Sequence, residues 1–141
     1  MKKMISLLCA LLILMNLSGV ALANVVPRAS DYFGCTDVYA TAMGNGKILV
    51  EFEVDATHTM LEVGAKKIYI YEQQSDGSYD NIHTFSKDTT SGMTETNSAF
   101  ADGAVTYQGV SGRKYFATAA LYARDSNGSE TLYFDTYIIT A

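Results

Sequence analysis

The chain has 141 residues, of which 48% are hydrophobic, 18% charged and 11% aromatic. That fits one globular domain and excludes a disordered tail or a polytopic membrane protein. Ten basic residues against fifteen acidic ones give a net charge of -5, short of the clustered Lys and Arg that nucleic acid demands.

Lys2 and Lys3 open the chain and an apolar run over residues 4–17 follows them. Ala21-Leu22-Ala23 then precedes Asn24. A positive start, an apolar middle and a small-x-small site are the three parts of a secretory signal peptide, with cleavage expected after Ala23. The run falls short of the roughly 20 residues that span a bilayer, so no membrane span is expected after cleavage. Cys9 lies inside the run and follows Leu8, which excludes it as a lipid-acceptor cysteine. Removing 23 of 141 residues leaves 118, with 8 basic and 15 acidic groups and a net charge of -7. All ten Tyr and six Phe remain, enough bulk for a core that needs no disulfide. Cys35 becomes the only cysteine, expected as a partly buried thiol unless an intermolecular disulfide takes it.

Residues 24–34 read as a lead-in and residues 35–141 as one domain built of strands. A strand over 35–43 turns at Asn45-Gly46 into one over 48–55. There Ile48, Val50, Phe52 and Val54 alternate with Leu49, Glu51, Glu53 and Asp55, leaving an acidic outer side. Residues 66–74 form the next strand, with Ile68, Ile70 and Glu72 on one face and Tyr69 and Tyr71 on the other. Asp76-Gly77 turns it into a strand over 79–85. Residues 86–98 are polar and expected to be flexible, and a short strand covers 104–110. The strand over 114–124 buries Tyr115, Ala117, Ala119 and Leu121. A turn at 125–129 leads into a last strand over 130–140, with Leu132, Phe134 and Ile138 buried. About seven short strands without a helical period predict an all-β fold, a two-sheet antiparallel immunoglobulin-like sandwich.

The stretch Val110-Ser111-Gly112-Arg113-Lys114-Tyr115-Phe116-Ala117-Thr118-Ala119 resembles the fibronectin type III pattern. That resemblance implies a corner-tyrosine part for Tyr115, its ring buried and its hydroxyl bonded to nearby backbone. The chain lacks the Trp that the pattern carries on an early strand. Across nearly the whole mature length, Asp31-Tyr32-Phe33, Gly44-Asn45-Gly46-Lys47-Ile48, Met60-Leu61-Glu62-Val63-Gly64-Ala65, Thr90-Ser91-Gly92-Met93 and Val105-Thr106-Tyr107-Gln108-Gly109 resemble blocks of a family of small exported bacterial proteins, a domain of unknown function. This second resemblance implies a fold and a secreted location but no chemistry.

Catalytic signatures do not assemble. His58, read as a loop residue, and His83, read as a strand residue, stand apart from each other and from any metal-ligand spacing. No GxSxG, SxxK or P-loop occurs, and no enzyme activity, cofactor or metal is expected. Residues 125–130 space oxygens like the start of a calcium loop, but Asn127-Gly128 signals a plain hairpin turn.

The distribution of aromatics is the informative feature. If Tyr115, Ala117 and Leu121 face the core, then Phe116 and Tyr122 face outward. The same alternation sends Tyr69, Tyr71, Tyr133 and Tyr137 outward, and in a fibronectin-like sandwich the three strands lie side by side. Such a surface either pairs its rings across strands or offers a ligand large contact area at low entropic cost. The expected function is therefore an exported, extracellular binding or adhesion module, its partner a protein or a glycan. A structural or self-assembling surface protein is the alternative, and a small secreted enzyme ranks last.

Overall fold

The computed structural model describes residues 30–141. The expected export segment, 1–23, and residues 24–29 of the lead-in lie outside the described residues. Strands β1 (Phe33–Gly44), β2 (Lys47–Gln73), β3 (Tyr79–Ser86), β4 (Thr94–Gln108), β5 (Lys114–Arg124), β6 (Ser129–Asp135) and β7 (Ile139–Thr140) follow one another, with no helix among the described residues. The fold is all-β, and its seven strands form one antiparallel sheet curled like a half-barrel.

The curl follows from β2. Two strands were expected over 48–55 and 66–74; one 27-residue strand runs through both. Its first stretch lies between β1 and β4, its middle between β4 and β5, and its last between β3 and β5. A strand twists about its own axis, so one this long cannot stay flat. Register shifts between Asp55 and Met60 on β4, and between Ala65 and Lys67 on β5, add local bends. β2 runs through both halves as one strand, although its pairing with β4 skips from Asp55 to Met60.

Alternation decides which side of the curl each residue faces. Ile48, Val50, Phe52 and Val54 point inward from the first stretch of β2, and Ile68 and Ile70 from the last. They meet Ala101 and Val105 of β4 and Tyr115, Ala117, Ala119 and Leu121 of β5 in one buried cluster. The hairpin turn at Asn45-Gly46 has positive φ at both residues, 51° and 80°, as a tight two-residue hairpin requires.

Three expectations need correction. Residues 94–98 belong to β4 instead of a flexible segment, because Thr94, Thr96 and Ser98 pair with Gly64, Glu62 and Met60. The last strand breaks at Thr136, whose hydroxyl accepts a hydrogen bond from Ala117 N at 3.0 Å, a place the backbone carbonyl would otherwise fill. The interruption turns Ile138 out to solvent, 56% exposed, where burial was expected. Cys35 is exposed, not partly buried, on the outward side of β1.

Candidate functional site

The outer face over β3, the last stretch of β2, β5 and β6 collects the aromatics. Tyr71 pairs with Phe116, Tyr69 with Thr118, and Tyr133 with Ala120, while Tyr122 sits between Gly64 and Thr131. Each lies between inward neighbours such as Ile68, Ile70, Ala117, Ala119 and Leu121. One register thus brings Tyr69, Tyr71, Phe116, Tyr122 and Tyr133 together. Tyr137 is not on the ladder: it lies between β6 and β7 and is 92% exposed.

These rings are not equally free. Tyr71 and Phe116 stack at 4.7 Å with planes 5° apart, and Tyr79 meets Phe116 edge-on at 5.1 Å. Such pairs fix one another, each contributing about 0.5–1.5 kcal/mol beyond the area it buries. The Lys66 and Lys87 ammonium groups lie 5.3 and 5.4 Å from the centre of the Tyr122 ring, in cation–π range. Tyr69, Tyr71, Phe116 and Tyr122 are therefore half-buried, and Tyr133, 66% exposed, is the open ring of the ladder. Thr118 donates to Asp135 at 2.6 Å in the row between.

At one end of this face a cleft of about 470 Å³ opens between the β2–β3 turn and the start of β5, lined by Gln73, Gln74, Ser75, Gly112, Arg113 and Lys114. Tyr115, next to Lys114 on β5, is buried, 1% exposed. Its hydroxyl accepts from Val110 N at 2.9 Å and donates to Glu72 Oε2 at 2.7 Å. Arg113 donates to the other Glu72 oxygen. The Tyr115 hydrogen bond and the Arg113 charge outweigh burial and hold the Glu72 carboxyl below the usual carboxylate range. Burial raises the Tyr115 phenol above its ordinary value. The Tyr115 hydroxyl is thus held by backbone on one side and by a buried carboxylate on the other. Tyr115→Phe should lower stability by about 1–2 kcal/mol in a urea melt, since Val110 N loses its acceptor and Glu72 a donor. An unchanged midpoint would show that the hydroxyl carries no weight.

The histidines stay apart. His58 lies within β2, not in a loop, where it contacts Thr57 Oγ1 at 3.0 Å and Asp125 Oδ2 at 3.2 Å. His83 packs edge-on to Phe85 at 4.5 Å. Asp125 accepts from Asn127 N and Gly128 N at 2.7 and 2.9 Å, which makes residues 125–128 a tight hairpin turn. Among the described residues no three His, Cys, Asp or Glu are grouped to hold a metal ion.

No family model matches the chain, and no curated protein matches it. The site rests on its own residues. Sequence reasoning missed Tyr79 and the two lysines over Tyr122. Tyr79 stood one residue past the Asp76-Gly77 turn, after Ser78, and was readable as the cross-strand neighbour of Gln73. Lys87 lay in a segment read as flexible, so nothing placed it near Tyr122.

Proposed function

We propose that this protein is an exported bacterial binding or adhesion module of immunoglobulin or fibronectin type III type, using its Tyr-rich outer face. The observation that carries the reading is the single register that gathers Tyr69, Tyr71, Phe116, Tyr122 and Tyr133. Tyr rings give contact area at low entropic cost, and the adjoining cleft supplies Gln73, Gln74, Ser75 and Lys114 as hydrogen-bonding groups. The sandwich is supported by the one buried cluster to which both halves of the curled sheet contribute. Export to the extracellular space is supported by the charged, apolar and small-x-small order of residues 1–23. Membership of the family of small exported bacterial proteins rests on the sequence blocks alone. The ligand is a protein or a glycan, and the reading assigns no catalytic residue, cofactor or metal.

Glycan-array screening and pull-down with the purified chain identify the ligand. Tyr71→Ala together with Tyr122→Ala should then abolish that binding while costing about 2 kcal/mol of stability at most. Binding that persists in a destabilised double variant would assign these rings to sheet packing alone.

A further inference from the structure

The other half of the curled sheet carries the opposite charge. With Val50, Phe52 and Val54 pointing inward, Glu51, Glu53 and Asp55 of β2 point outward. The register places Glu53 directly between Asp37 of β1 and Asp102 of β4. Asp55 occupies the next row beside Cys35, and Glu51 the row on the other side, opposite Tyr39. None of these five carboxylates has a cationic partner among the described residues. Lys47, at the hairpin end, is the positive residue of β2 on this face. Like charges directly opposite one another destabilise a ladder, so the row of three costs stability that a face of mixed sign would not. A hollow of about 100 Å³ opens in the same face, lined by Cys35, Thr36, Asp37, Glu53 and Asp55.

The Tyr-rich face is its complement. Lys66, Lys67, Lys87, Lys114 and Arg124 lie among and beside the tyrosines. Glu62 pairs with Lys87 and Arg124, which leaves Lys66, Lys67 and Lys114 without a carboxylate among the described residues. Asp135 is the other acid on that ladder, held by Thr118.

We infer that the occupant of the Tyr-rich face is the acidic face of a second copy of this chain, so that copies join head to tail. The inference rests on the reading that the Tyr-rich face is the binding surface, and it names the partner. Lys66 and Lys67 meet the row of Asp37, Glu53 and Asp102, the hollow beside Asp55 receives an ammonium group, and tyrosine hydroxyls donate to the remaining carboxylate oxygens. Because the two surfaces differ, each joined pair keeps one free face of each kind, and the assembly extends unless a ring closes. Charge steers and aligns the encounter, which makes it sensitive to salt.

Sedimentation velocity on the purified chain tests this in about 10 mM and about 1 M salt, where the screening length is about 30 Å and about 3 Å. Oligomers that grow with concentration are expected at low salt, with affinity at least about tenfold weaker at high salt. Glu53→Lys with Asp102→Lys should be monomeric, and Glu53→Lys alone, which sets opposite charges against both Asp37 and Asp102, should melt at a higher temperature than the parent. Lys66→Glu with Lys67→Glu should also be monomeric. An equal mixture of the two variants should assemble again, since each reversed face then meets its complement. A parent chain that stays monomeric at low salt overturns the inference and leaves the Tyr-rich face to its ligand screen. Association that survives either reversal, or a mixture that stays monomeric, overturns it as well. Association lost in both charge reversals but intact in Tyr71→Ala with Tyr122→Ala leaves the head-to-tail contact standing and overturns the reading that the tyrosine rings are the binding surface.

Discussion

Gly64→Ala is expected to lower the unfolding free energy by about 3 kcal/mol or more. Gly64 is buried between Thr94 and Tyr122 with φ at 141°, a conformation that residues with a Cβ rarely adopt. An added methyl would lie 2.3 Å from the Met93 carbonyl oxygen and 2.8 Å from Thr94 Cα. Both are backbone atoms and cannot rotate aside. The Met93 carbonyl also accepts from Ala65 N at 2.7 Å, so displacing it breaks a hydrogen bond. Gly77→Ala is the control, with φ at 87° and open space around it. It should cost about 1–2 kcal/mol, from conformation alone. Urea unfolding of the two variants side by side measures the difference; equal losses would mean that the ladder at Gly64 gives way freely.

Glu72→Ala should cost about 2–3 kcal/mol, because the buried Tyr115 hydroxyl loses its acceptor and Arg113 its partner. Its pH dependence has a definite sign. The Glu72 carboxyl is depressed in the folded chain, so between the folded and unfolded values the unfolded chain binds the extra proton. Its contribution is full above about pH 4.3 and fades as the pH falls through the folded value. Urea midpoints of the parent and of Glu72→Gln, compared from neutral pH into acid, should therefore converge below about pH 4.3. The carboxylates of Glu62, Asp76 and Asp125 are depressed as well, but they are common to both proteins and cancel. A gap that stays constant into acid would show that the Glu72 charge contributes nothing.

Strict alternation was what made the fold legible. Residues 48–54 alternate without interruption, and residues 114–124 do so except at Ala120, which is buried on the outward side. Their strands, faces and hairpin partner could be read directly. So could the outward set on β2, β5 and β6, which needs nothing beyond parity. Legibility failed wherever parity slips. Val63 and Ala65 are buried, and then, after the shift before Lys67, so are Ile68 and Ile70. The two patterns are out of step, which made one strand look like two. Thr136 spoils the parity of the last strand in the same way, by lending its hydroxyl to Ala117 N. Residues 94–98 were missed for another reason. They lie along a sheet edge beside β2 and carry few apolar side chains, so only their pairing marks them as a strand. Attraction between the two outer faces had no local signature, because the acidic and basic residues of each face are assembled from separate strands.

The length of β2 also governs when the chain can acquire order. A chain made from its N-terminus completes β2 at Gln73 with only the β1 hairpin to pair against. The partners that flank its middle, β4 and β5, begin at Thr94 and Lys114. Closing loops of that size before their contacts exist is opposed by entropy, so little of the ladder holds early. The last-made strands therefore decide when the first-made ones become permanent.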